Sequence, residues 1–131
     1  MLHEPHLDFS FSGLKTAVLY TLQKQNAEIH FADLAASFQQ AVIDILVRKS
    51  LRAAQQTGHA RIAISGGVSL NQALRQAFQR AGKEHGIEII MASPVFCADN
   101  AAMIAFAGLL RHLAGESSSL DGDIHPNLPL V

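Results

Sequence analysis

Two short stretches of this sequence hold residue types suited to binding and transforming a ligand. The first is Ser65-Gly66-Gly67-Val68-Ser69-Leu70-Asn71. A glycine pair lets backbone approach a ligand closely, and a helix opening at Ser69 would offer free N–H groups to phosphate or carboxylate. Asn71, at the second position of that helix, carries both a donor and an acceptor. Its plainer reading is a polar first-turn residue facing water. The second stretch is Ser93 to Asn100, which contains Cys97 and Asp99. A carboxylate there could bind a metal, orient a substrate or act as a base. It could equally cap a helix, a role in which Asp is common. Cys97 reads as a small buried apolar side chain rather than a nucleophile.

The seven histidines do not make a metal site by spacing. His3 and His6 flank Glu4-Pro5 and share no helical face, and neither HxxxH nor HExxH occurs. Charge is distributed unevenly. Arg48, Lys49, Arg52, Arg61, Arg75, Arg80 and Lys83 fall between Ile45 and Lys83 with no acidic residue among them, a local charge of +7. Such a run is usually a solvated face, but it also suits a phosphate backbone.

The elements that would position these stretches follow from periodicity. Ser12 reads as the cap of a helix through Leu14, Val18, Leu19 and Leu22. Asp33 reads as the cap of a long helix ending at Thr57 before Gly58, with an apolar stripe wide enough to be covered on two sides. Arg61 to Ser65 looks like a buried parallel strand, and Ser69-Leu70-Asn71-Gln72 has the form of a capping box. The helix it opens closes at Gly82 or Gly86. Glu88 to Met91 is a second strand, and Asp99 or Asn100 caps a last helix, Ala101 to Leu113.

The fold class expected is α/β, rich in helix, with a small parallel βαβ unit. In an open parallel sheet ligands sit beyond the carboxyl ends of the strands, so the two stretches should face one crevice, with Asn71 and Asp99 as neighbours at its rim. Two strands are a poor sheet on their own. The chain 1–131 therefore reads as a single partial domain whose partner strands lie elsewhere, with a tail over 116–131.

The chain has 131 residues, 49% hydrophobic and 16% charged, and a formal net charge of −1. That composition excludes a disordered polyelectrolyte and a coiled coil. The single cysteine excludes an internal disulfide framework and points to the reducing cytoplasm. No targeting segment is visible, and the longest apolar stretch is about half of the roughly 20 residues a membrane span needs, so no membrane partner is expected.

Three motifs together carry a family resemblance: Asp8-Phe9-Ser10-Phe11-Ser12-Gly13-Leu14-Lys15-Thr16, then Ser65 to Asn71, then Phe96-Cys97-Ala98-Asp99-Asn100-Ala101-Ala102-Met103-Ile104-Ala105. In this order they resemble the C-terminal part of the TsaD/YgjD (Gcp) family, the tRNA N6-adenosine threonylcarbamoyltransferases formerly labelled O-sialoglycoprotein endopeptidases or glycoproteases. The resemblance implies a piece of the C-terminal lobe of an ASKHA fold (actin-like ATPase, ribonuclease H-like). It implies transfer of a threonylcarbamoyl group from threonylcarbamoyl-AMP to N6 of the adenosine 3′ of the anticodon in ANN-decoding tRNAs. Asn71 matches a family position that binds the nucleotide-linked substrate, Gly66 and Gly67 match the glycine turn near the adenosine part, and Asp99 matches the carboxylate ligand of a divalent metal, iron or zinc. No catalytic residue is assigned.

The implied partners are tRNA, the N-terminal lobe of the same protein, and accessory subunits of the same tRNA-modifying machinery. The family's HxxxH histidines and N-terminal phosphate-binding strands are absent here, and Ala101 replaces the usual glycine after Asp-Asn. An isolated chain should therefore be inactive. Two other classes stay open: a lobe of an ASKHA small-molecule kinase, and a non-enzymatic assembly module whose exposed interfaces would form a homodimer.

Overall fold

A computed structural model describes residues 6–24 and 30–123. The elements run α1 (Phe11–Lys24), α2 (Phe31–Thr57), β1 (Arg61–Ile64), a 3₁₀ turn (Gly67–Leu70), α3 (Gln72–His85), β2 (Glu88–Met91), a second 3₁₀ turn (Pro94–Phe96) and α4 (Ala101–Leu113). The chain divides into two units between Ala98 and Asp99. The helix-rich α/β class with one parallel strand pair is the architecture the periodicities indicate. Among the described residues no helix is long and apolar enough to cross a membrane.

In the first unit β1 and β2 pair in parallel, with Ile62 opposite Ile89 and Ile64 opposite Met91. Side chains alternate across a strand, so these four share one face. That face packs on a core made by Ile43, Val47 and Leu51 of α2 and by Leu74, Phe78 and Ala81 of α3. Each trio follows helical spacing and forms one stripe on its helix. The expectation of a buried strand at Arg61 to Ser65 is corrected: β1, like β2, alternates between exposed and half-buried residues. Helices α2 and α3 cover one face, and Ala63, Ile90 and the paired Arg61 and Glu88 are exposed on the other.

Helix α3 lies close enough to the sheet that one position tolerates no side chain. A Cβ built at Gly82 would stand 2.5 Å from Ile89 Cγ1 and 2.7 Å from the Ile87 carbonyl oxygen. The helix itself continues past Gly82 and closes at Gly86.

Several caps differ from expectation. Helix α1 is capped by Ser10, whose Oγ accepts from the Gly13 N–H at 3.1 Å, and Ser12 lies inside the helix. Helix α2 starts two residues before Asp33, with His30 at the cap position and no side-chain bond there. Asp33 sits instead in the first turn, where its charge favours the positive helix end. Helix α3 is capped by Asn71 rather than Ser69, because the glycine pair leads into a 3₁₀ turn that takes up Ser69 first. Of the two candidates for α4, Asn100 is the cap; its Oδ1 accepts from the Met103 N–H at 2.9 Å.

The basic run is not a surface stripe. Lys49 is buried and its ammonium donates to the Asp8 carbonyl. Arg52 Nη2 donates to the His6 carbonyl at 2.7 Å, so these two residues of α2 hold the segment before α1. Arg61 pairs with Glu88 at 2.6 Å. Arg75 donates through Nη1 to the Ser69 carbonyl at 3.0 Å and through Nη2 to the Ala92 carbonyl at 2.7 Å. Helical side chains lean toward the helix N-terminus, which is why an arginine one turn into α3 reaches both loops. Only Arg48, Arg80 and Lys83 of the seven are left as exposed cations outside these bonds.

Two stability predictions follow from this packing. Gly82→Ala should lower the unfolding free energy by about 1–3 kcal/mol, read from a urea midpoint, because a backbone oxygen cannot yield as a side chain can. Arg75→Leu should cost a similar amount, about 1–3 kcal/mol, and speed amide exchange in residues 66–71 and 92–97. Arg75→Lys should restore little of it, since one ammonium lacks the fork that reaches two carbonyls.

Candidate nucleotide-facing site

Both stretches singled out in the sequence leave the carboxyl ends of the parallel strands. After β1 the chain passes Ser65 and turns at Gly66, with φ 89° and ψ 164°, a region open essentially to glycine alone. A Cβ at Gly66 or Gly67 would meet no atom within 4 Å. The backbone is thus bare on that side, and glycine at 66 is required by conformation rather than by crowding. Ser69 is 2% exposed, and its hydroxyl donates to the Gly66 carbonyl at 2.7 Å.

After β2 the ladder extends one more bond, from the Ala92 N–H to the Ile64 carbonyl at 3.0 Å. Pro94 then opens the second 3₁₀ turn, which delivers Cys97 into the interior. Cys97 Sγ lies 3.2 Å from Ser69 Oγ and 3.4 Å from the Ser93 carbonyl oxygen. The two loops therefore touch, as parallel strands require. Cys97 is a packed side chain at their junction, as its sequence context indicated.

Asn71 is exposed and stands at the edge of an open cleft of about 240 Å³ lined by Phe38, Gln39, Val42, Ile43, Val68 and Leu74. Its Oδ1 accepts from the Leu74 N–H at 3.0 Å, and its Nδ2 donates to Gln39 Oε1 at 2.8 Å. Of the amide's hydrogen-bonding capacity, one N–H and one lone pair remain beyond these two bonds. A mostly apolar slot edged by the amides of Gln39 and Asn71 suits a flat heterocycle carrying polar edges. Gln39 was absent from the sequence reading. No spacing rule connects it to a residue 32 positions later, and its place in α2 looks like ordinary solvent-facing polarity.

Asp99 opens the second unit, and Asn71 belongs to the first. Asp99 is exposed, and since Asn100 performs the capping, the structural role weighed for Asp99 falls to its neighbour. Ala101 begins α4, and no described non-glycine residue has a positive φ, so alanine sits there without backbone strain. Among the described residues no group of three or more His, Cys, Asp or Glu side chains could hold a metal ion. The described residues do not by themselves fit a metal centre.

The family model described as TsaD, tRNA N6-adenosine threonylcarbamoyltransferase, matches residues 2–106. A tRNA N6-adenosine threonylcarbamoyltransferase from Syntrophotalea carbinolica is 46% identical over 99% of this chain and 39% of its own length. Proteins of the same name from Clostridium perfringens and Clostridium botulinum are each 44% identical over 98% of this chain, and over 39% and 38% of their own lengths. The chain thus spans about two fifths of the curated relatives it matches, within their C-terminal part. With the family model matching residues 2–106, most of the sequence, the chain belongs to the tRNA N6-adenosine threonylcarbamoyltransferase family.

Proposed function

We propose that this chain supplies the nucleotide-facing part of the C-terminal lobe of an enzyme that transfers a threonylcarbamoyl group from threonylcarbamoyl-AMP to N6 of the adenosine 3′ of the anticodon in ANN-decoding tRNAs. In that transfer the N6 amine forms a bond to the carbamoyl carbon, and the bond from that carbon to the phosphate oxygen breaks to release AMP. The observation that carries the reading is the Asn71 amide at the edge of an apolar slot, four residues past the open Gly66-Gly67 turn in sequence. It is supported by 46% identity to a protein named for this activity.

In this reading Asn71 holds the nucleotide-linked substrate by its remaining N–H and lone pair, and Gly66 and Gly67 let backbone approach the adenosine part. Asp99 provides one carboxylate toward an iron or zinc ion whose other ligands come from outside this chain. When bound, such an ion supplies electrostatic stabilisation of negative charge. The N-terminal lobe and accessory subunits of the cytoplasmic modification machinery complete the enzyme. Dispersal of the basic run among internal bonds leaves contact with tRNA resting on the family likeness and on the few cations still exposed.

Two measurements test this. Asn71→Ser preserves a side-chain oxygen able to cap α3 but removes the amide. It should weaken AMP binding by this chain about tenfold in calorimetric titration, the scale of one lost hydrogen bond, while helix content is unchanged. Equal affinity in the two proteins rejects the nucleotide role of Asn71. Separately, the purified chain should transfer no threonylcarbamoyl group to tRNA from the adenylate. It should also retain far less than one zinc per chain after dialysis, because affinity requires a full ligand set. Turnover by the chain alone would contradict the division of the site between two lobes.

A further inference from the structure

We infer that Gln39 is a positioning residue for Asn71, engaging one N–H of an amide whose sense the helix cap has set and so fixing what remains for the cleft. The inference rests on the nucleotide reading of Asn71 for its functional meaning, but its structural content stands apart from it. A carboxamide presents oxygen and nitrogen at two ends of nearly equal shape, so only its partners decide which way round it sits. The cap settles one end, because the Leu74 N–H can only donate and must face Oδ1. Nδ2 is thereby turned toward α2, where Gln39 Oε1 accepts from it at 2.8 Å. Gln39 must present its own oxygen, since two NH₂ groups cannot bond each other.

Position 39 is well placed for this. It lies one turn before Ile43, a member of the buried core, so its backbone is anchored by the packing of α2 against α3. Asn71 is in this way held by its own helix on one side and by α2 on the other. One N–H and one lone pair are left at a slot whose other walls, Phe38, Val42 and Val68, are apolar. Both amides are exposed, so water competes with their bond, and Gln39 biases the orientation of Asn71 rather than locking it.

The test is made on the whole 131-residue chain with Gln39→Leu, which keeps the bulk and removes the acceptor, and Gln39→Glu, which keeps an acceptor. The side-chain ¹⁵N–¹H₂ resonances of Asn71, assigned by their loss in Asn71→Ser, report the bond directly. In Gln39→Leu the bonded proton should move upfield and the pair should converge; in Gln39→Glu their separation should return. Helix content and thermal midpoint should be the same in all three proteins. Adenosine, which has no charge for the added carboxylate to repel, should bind Gln39→Leu about fivefold more weakly and Gln39→Glu nearly as the parent does. Asn71 resonances unmoved by Gln39→Leu overturn the inference, whatever adenosine does. If they move as expected but Asn71→Ser binds adenosine as the parent does, the positioning role stands and the nucleotide reading of Asn71 fails instead.

Discussion

One guanidinium joins the two loops on which everything functional in the first unit depends. Arg75 reaches back along α3 and donates to the carbonyl of Ser69, in the turn after β1, and to that of Ala92, just past β2. Carbonyls at the ends of parallel strands point out of the ladder and need partners, and a forked cation satisfies two at once. A charge-assisted pair of this kind is stronger than two neutral bonds, and both are partly buried. The contact between Ser69 and Cys97 closes the same junction from the interior. The glycine turn and the loop running toward Asp99 are therefore set relative to each other up to Ala98.

That junction also explains how so small a sheet can present a site. Two strands with one face covered lack the cross-strand support of a larger sheet. Most of the order comes from α2 and α3, whose apolar stripes meet over Ile62, Ile64, Ile89 and Met91. The glycine at 82 allows this approach, and Asn71 starts α3 at the point where the glycine turn ends. The cap is thus part of the fold as well as of the slot. Its oxygen is engaged in holding the helix, and what it can offer a ligand is what Leu74 and Gln39 leave over.

Much of this was legible before any coordinates. Helical spacing of apolar residues located the helices, and short apolar runs bounded by glycine or proline located the strands. Glycines marked the ends of α2 and α3 and the turn after β1. The positions of the two loops followed from strand–helix–strand order alone, and the buried state of Cys97 from the apolar character of a lone thiol. Caps were read less well. Ser10 displaced Ser12 because nearby serines offer similar capping chemistry, Asn71 displaced Ser69 because a 3₁₀ turn changes which residue meets the free N–H groups, and α2 starts at His30 with no side-chain cap at all.

The sequence by itself determined which segments become helix or strand, that the strands run parallel, and that the glycine turn and the Ser93–Asn100 stretch leave the same sheet edge. Each of these is a short-range consequence of spacing, apolar content and backbone freedom. Only the tertiary structure decided where the cations went. Lys49, Arg52 and Arg75 read as one positive stripe along the chain, yet each is turned to a different carbonyl by the packing of α2 and α3. Only the tertiary structure, too, brought Gln39 to Asn71 and left Ala63 and Ile90 exposed. Partners 32 residues apart share no period, and a hydrogen bond between two amides leaves no trace in the sequence until helix packing has set the distance between them.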